Sequence, residues 1–247
     1  MRIAVQSLHF RLLLWMAVGP WILGCGADQG ELPTASIPAT PTSNSDALRA
    51  LGKADVEPYA LTPDNREFQS PARAMEDYYP EVVIKTSQGD LRVRLNAEKS
   101  PRTVDNFLYN YVANGYYDQT VFHFVEQDYL IAGGGYTAEL VEKPTSTPIP
   151  CEANNGLSNK RGTVAMVRHP DFAHSATAQF FINLVDNPSL DYRPSDDETG
   201  SGYCVFGEVI EGMDTVDKIA SVAVQDRGDF EKSPVTPIVI ESITRTR

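Results

Sequence analysis

Few residues in this chain could do covalent or metal chemistry, and they are poorly spaced for it. His169 and His174 flank Pro170-Asp171-Phe172-Ala173 on a loop. With no further ligands beside them, that spacing does not make a metal site. His123 lies in the apolar run VFHFV and is expected to be a hydrogen-bonded core histidine; His9 falls in the leader. Gly133-Gly134-Gly135 lacks the following helix and the Lys-Ser/Thr of a phosphate loop, and reads as room for close packing. Asp196-Asp197-Glu198 lacks the oxygen spacing of a calcium loop and reads as solvated. Cys151 and Cys204 allow one bridge, but Cys204 sits in YCVFGEV, a buried-strand pattern in which a thiol acts as a small hydrophobe. Two unpaired thiols are expected, with no metal and no cofactor.

These residues need a folded body to hold them, and the organisation of the chain shows where it lies. The sequence has 247 residues, 42% hydrophobic and 22% charged, in the ordinary globular range. A net charge of −12 disfavours nucleic acid as a partner. Arg2 and Arg11 precede the apolar run Leu12–Leu23, which is too short to span a bilayer and suits a signal-peptide core. The run ends in Ile22-Leu23-Gly24-Cys25, which resembles the lipobox of bacterial lipoproteins, where the cysteine is lipidated and becomes the mature N-terminus. That reading is preferred to an ordinary signal peptide with a chance cysteine. Residues 1–24 are thus expected to be a signal peptide, 25–79 a lipidated cysteine with a flexible tether, and 80–247 a folded domain. Leu32–Asp46, rich in Pro, Ser and Thr, carries the tether signal, and Ala47–Asp55 allows a short helix.

Within the domain, Val82–Thr86 and Leu91–Leu95 read as strands joined through Gln88-Gly89-Asp90. Ser100-Pro101 opens a helix, with serine as N-cap and proline at the first helical position. Val104, Phe107, Leu108, Tyr111 and Val112 form its apolar stripe, and Gly115 closes it. Further strands are expected at 121–125, 129–132, 162–167, 179–185, 204–209 and 238–243, with a second helix over 213–220.

Gly115–Gly135, GYYDQTVFHFVEQDYLIAGGG, and Ser175–Asn187, SATAQFFINLVDN, resemble the two signature segments of cyclophilin-type peptidyl-prolyl isomerases. Cys151–Met166 and Gly202–Ile219 extend the resemblance, which runs from about Val82 to Thr244 and is closest to the short bacterial cyclophilins. It implies a mostly β fold: a closed eight-stranded antiparallel barrel with two capping helices. It also implies an apolar proline pocket walled by Tyr129, Leu130, Phe181 and Leu190, with Gln179 beside Phe181 and Tyr203 at a position of histidine or tyrosine. Val167 falls at the family's rim alanine and Arg168 follows it. Three positions depart from the pattern. Phe124 stands where the family has its catalytic arginine, Ala132 where a glutamine holds that arginine, and Ser189 where an outer aromatic lies.

Proline isomerisation needs no covalent step. The resonance barrier of about 18–20 kcal/mol falls when a donor reaches the pyramidal imide nitrogen and the pocket favours the twisted state. Phenylalanine supplies packing and no donor. Arg168 is long enough to enter a neighbouring groove, but its position matches a backbone contact, and a solvated rim arginine is the preferred reading. The resemblance therefore implies an isomerase of reduced activity, acting on proline-containing peptides or unfolded exported proteins. The chain is expected to be a monomer anchored by lipid in the bacterial cell envelope. A tethered, non-catalytic module that holds proline segments is the alternative, and a scaffold with a vestigial groove is a weaker one.

Overall fold

The computed structural model describes residues 78–194 and 201–246. The expected signal peptide, Cys25, the expected tether as far as residue 77 and Asp196-Asp197-Glu198 lie outside the described residues. Where apolar residues alternate, strands form: β1 (Glu81–Thr86), β2 (Gly89–Leu95), β3 (Thr120–Glu126), β4 (Leu130–Thr137), β5 (Thr163–Met166), β6 (Phe180–Asn183), β7 (Val205–Glu211), β8 (Val224–Arg227), β9 (Phe230–Pro234) and β10 (Ile238–Arg245). Eight of them close an antiparallel barrel in the order β1-β10-β3-β4-β6-β5-β7-β2, which leaves no barrel edge to pair. The first hairpin turns one residue earlier than its Gln88-Gly89-Asp90 signal suggests. Thr86 pairs with Gly89, so the loop is Ser87-Gln88, and Gly89 enters β2 at φ +133°.

The barrel interior holds Ile84, Leu91, Val93, Phe122, Ile131, Phe180, Ile182, Phe206 and Ile240 in one buried body. Two helical segments cover it. Helix α1 (Pro101–Asp105) continues as a π-helical turn over Asn106–Tyr111 and a 3₁₀ turn over Val112–Asn114, and ends on Gly115 at φ 61°. It buries Val104, Phe107, Leu108 and Tyr111 against the core. Each such side chain contributes about 1.5–3 kcal/mol. The Phe107 ring lies 5.2 Å from those of Tyr117 and Phe206. Helix α2 (Met213–Ala220) buries Val216, Ile219 and Ala220.

Ser100 precedes α1 but does not cap it, contrary to the sequence signal. Its hydroxyl donates to the Val205 carbonyl at 2.9 Å, tying the helix to β7. The cap is the Glu152 carboxylate, which accepts from the amides of Arg102 at 3.2 Å and Thr103 at 2.8 Å. An anion there also faces the positive end of the helix.

Between Phe122 and Phe124, β3 carries one residue more than its partner. Phe122 opposes Gly133 and Phe124 opposes Ala132, so His123 is a β-bulge. Without it, Phe124 would share the inward face with Phe122. With it, Phe122 and Val125 both enter the barrel core, and Phe124 packs in a second cluster outside it. The opposing glycine is required: a Cβ on Gly133 would lie 2.9 Å from the Val121 carbonyl oxygen and from the Phe122 ring.

The sequence reading missed the hairpin β8–β9, which turns at Gly228 with φ 60°. Its Phe230 ring packs edge-on against His123 at 6.1 Å and Tyr136 at 4.9 Å. His123 is enclosed by these rings, and its Nδ1 has no hydrogen-bond partner, which corrects the expected hydrogen-bonded histidine. Burial lowers its pKa from 6.5 to about 4. Below pH 6.5 the unfolded chain takes up a proton that the folded one refuses. Stability is therefore full above that pH and falls as the pH drops toward 4. Urea unfolding across this window is expected to show a loss of up to about 3 kcal/mol. His123→Phe is expected to flatten the loss; an unchanged profile in that variant would assign it to other groups.

Candidate active site

The bulge places Phe124 at the head of a row that crosses five strands. Phe124 opposes Ala132, Ala132 opposes Phe181, Phe181 opposes Ala165, and Ala165 opposes Val205. Large and small residues alternate along it. Phe181 is 2% exposed and Ala165 is fully buried, although the row lies outside the barrel core. Leu130 belongs to the same cluster, and Tyr129, Val167, Leu190, Tyr203 and Leu157 pack around it half-buried. Eight positions singled out in the sequence thus meet in one apolar body: Phe124, Tyr129, Leu130, Ala132, Val167, Phe181, Leu190 and Tyr203. Ala165 and Val205 were missed because only strand register places them in the row, and Leu157 because it reaches the cluster from a loop.

Polar bonds under the cluster position its rim. Asn159 donates from Nδ2 to the Leu190 carbonyl at 3.1 Å, and the Tyr203 amide donates to the same carbonyl at 2.9 Å. Asn187 donates from Nδ2 to the Tyr129 carbonyl at 3.0 Å and to Asn183 Oδ1 at 2.8 Å. Asp191 accepts from the Asn159 amide at 2.6 Å and from the Ser158 hydroxyl at 2.8 Å. Burial would raise the Asp191 carboxyl, but these bonds, with Lys160 nearby, hold it below its ordinary 3.8. Tyr129, Leu190 and Tyr203 come from separate loops, so this network sets their spacing. Ser189, at the outer-aromatic position, is exposed.

Gln179 sits beside the row. Its carbonyl accepts from the Val167 amide at 2.9 Å, joining the two segments. Its side chain hydrogen-bonds Tyr136 and covers Gly135, where a Cβ would lie 2.5 Å from Gln179 Cγ. Arg168 is not a solvated rim residue. It is buried, with Nε donating to the Gly202 carbonyl at 2.7 Å and Nη1 to the carbonyls of His169 and Pro170 at 2.9 and 2.8 Å. Its guanidinium lies 4.8 Å from the Tyr203 ring centroid. These bonds point it at the loop backbone. Nδ1 of His174 accepts from the Cys151 amide at 3.0 Å and Nδ1 of His169 from the Asp171 amide at 3.2 Å, so both histidines serve loop structure. Cys151 and Cys204 are unbridged thiols, and burial pushes Cys204 up to about 11.

The sequence reading also missed Lys232, on β9. Its ammonium lies 6.0 Å from the Phe124 ring centroid and pairs with the Glu126 carboxylate. Tyr129 stays protonated at neutral pH, held up by burial and then by Tyr203 and Glu126. An open groove of about 670 Å³ lies to one side, lined by Glu81, Arg94, Lys160 and Glu208, and meets the cluster at Leu157 and Val205. Arg94 and Glu208 pair with each other there, and Arg92 takes Glu81. Opposite charges already satisfied make that groove a poorer candidate than the apolar row. The row can hold an apolar ring and the backbone on either side of it, beside one amide and without a nucleophile.

Relatives carry this architecture. The crystal structure of a Cryptosporidium parvum cyclophilin type peptidyl-prolyl cis-trans isomerase superposes with a TM-score of 0.55 at 25% identity, covering 69% of this chain and 99% of that one. A second structure of that protein, determined in the presence of the dipeptide Ala-Pro, gives a TM-score of 0.56 at 24% identity, with coverage of 68% and 99%. In sequence, peptidyl-prolyl cis-trans isomerase B of Escherichia coli is 47% identical over 163 residues, 66% of this chain and 98% of the relative. The isomerase cyp18 of Streptomyces antibioticus is 48% identical over 161 residues, 65% and 95%. The family profile described as "Cyclophilin type peptidyl-prolyl cis-trans isomerase/CLD" matches residues 81–245, which is the barrel from its first strand to its last. By its sequence, and by the barrel on which that sequence builds its outer apolar row, this chain belongs to the cyclophilin-type peptidyl-prolyl cis-trans isomerases.

Proposed function

We propose that the chain is a membrane-tethered isomerase of reduced turnover, acting on X-Pro bonds of exported proteins. The observation that carries this reading is the pair Phe124–Ala132. They oppose each other at the head of the apolar row, and neither side chain can donate a hydrogen bond. The twisted proline bond would still gain from apolar burial along Leu130, Phe181 and Leu190 and from desolvation. It would lose a donor on residue 124 aimed at its nitrogen. Loss of one preorganised donor costs about 3 kcal/mol, or about a hundredfold in rate.

The second reading, a module that holds proline segments without turning them over, draws on the same pair. Ala132 leaves room beside Phe124, whose half-buried ring packs on the cluster. Tethering draws on the leader sequence and Cys25, outside the described residues, and export follows from it.

In a protease-free assay on an Ala-Pro peptide, kcat/KM is expected about a hundredfold below that of an arginine-bearing relative. Phe124→Arg with Ala132→Gln should recover more than the two single changes together, because the amide orients the guanidinium. Turnover equal to such a relative would refute the reduced-activity claim.

NMR titration with the same peptide is expected to shift signals of Phe181 and Leu190, since apolar burial and backbone bonds survive without the arginine. Flat signals at millimolar peptide that respond only in Phe124→Ala would mean that the ring occludes its own site.

Mass spectrometry of the mature protein is expected to find Cys25 first and acylated. Stable anchoring requires more than one chain on it. An unmodified N-terminus elsewhere would leave a soluble exported protein.

A further inference from the structure

The hairpin β8–β9 lies against β3, and Lys232 is its unusual residue. Lys232 adopts φ 49°, in the left-handed region that favours glycine and asparagine. Its amide donates to Asp226 Oδ1 at 3.1 Å, and the next two residues, Ser233 and Pro234, are buried. Phe230, two residues earlier, is wedged against His123 and Tyr136. The backbone on both sides of Lys232 is therefore held, and its side chain is delivered to the outer face of β3. There the ammonium pairs with Glu126 and faces the Phe124 ring at 6.0 Å.

As a stabilising device this arrangement roughly breaks even. A lysine in the left-handed region is strained. The pair is 42% and 37% exposed at its two ends, and exposed pairs contribute little. A cation over a ring at an exposed site adds little more. The outcome that distinguishes it is positional: a cation stands at the one residue of the row where the family pattern calls for a cation and β3 supplies none.

We propose that Lys232 supplies from β9 the hydrogen-bond donor that residue 124 lacks. Its ammonium donates an N–H to the twisted proline bond, Phe124 is the face on which the charge rests, and Glu126 holds the charge until substrate arrives. The proton stays on lysine throughout, and no covalent bond forms or breaks. The inference rests on the isomerase reading of the site and deepens it. It also accounts for turnover that is reduced rather than absent. An ammonium is a point charge on a flexible stem, without the planar fork of a guanidinium, so it is less well aimed.

The test compares wild type, Lys232→Met, Lys232→Arg, Phe124→Arg/Ala132→Gln and Phe124→Arg/Ala132→Gln/Lys232→Met. It uses the protease-free assay on an Ala-Pro peptide, with Kd from NMR titration and thermal unfolding as the check on folding. Lys232→Met is expected to lose about tenfold in kcat/KM, mainly in kcat, with Kd changed by less than about twofold. Lys232→Arg should keep at least about half of wild-type activity. In the Phe124→Arg/Ala132→Gln background, Lys232→Met should cost less than about twofold, because the donor is then redundant. Three results would overturn the proposal: Lys232→Met within about twofold of wild type, Lys232→Arg as slow as Lys232→Met, or the same loss in both backgrounds. Wild type indistinguishable from the uncatalysed rate would sink the isomerase reading together with this one, whereas the other failures remove only Lys232. Should Lys232→Met unfold, Lys232→Leu, which likewise carries no donor, takes its place under the same criteria.

Discussion

Strand β3 carries one residue more than β4 between Phe122 and Phe124, and the site depends on that extra residue. A regular strand sends residues 122 and 124 to the same face. The bulge at His123 instead gives Phe122 and Val125 to the interior and Phe124 to the outer cluster. Gly133 makes it sterically possible, since a side chain there would meet the Val121 carbonyl and the Phe122 ring. One-residue slips also occur between β1 and β10, β2 and β7, and β5 and β7; the one at His123 adds Phe124 to the apolar surface on the outer side of the sheet. Phe230 then covers the displaced imidazole, so the structure keeps a buried, unpartnered nitrogen in exchange for the position of its neighbour.

The two apolar bodies are held in different ways. The interior is packed by rings and branched side chains and covered by two helices, of which α1 is tied at its N-terminus to β7 through Ser100 and capped by Glu152. The outer row has only one solid side, the sheet itself. Its rim comes from loops, and polar bonds fix them: Asn159, Asn183, Asn187 and Asp191 under Tyr129, Leu190 and Tyr203, and Arg168 under the Tyr203 loop. Arg168 shows how burial changes a residue's meaning. Three carbonyls occupy its guanidinium, and each would lose a charge-assisted partner if it left. It is part of the frame, and the cation that faces Phe124 comes from another strand.

Alternation and the apolar stripes made the eight barrel strands and both helices legible in the sequence, and the resemblance supplied their closure. The eight apolar positions of the candidate site were legible only through the resemblance, and they do converge. Three features were not legible, each for a physical reason. Ala165 and Val205 enter the row only through cross-strand register, which has no local signature. Ser100 looks like a cap because its residue type and position fit one, but the barrel wall competes for its hydroxyl and Glu152, 52 residues later, takes the cap. The hairpin β8–β9 alternates weakly, and its central contacts, Phe230 on His123 and Lys232 by Phe124, span more than 100 residues. Long-range packing of this kind leaves little trace in composition or period.

If the row is the floor of a substrate site, a bound proline ring must lie on it. Intermolecular NOEs between an Ala-Pro peptide and the isotopically labelled protein measure this directly. Contacts from the proline ring to Leu130, Phe181 and Leu190 are the expected result. Contacts confined to the groove of Glu81, Arg94 and Lys160, or none at millimolar peptide, would contradict the assignment of the site.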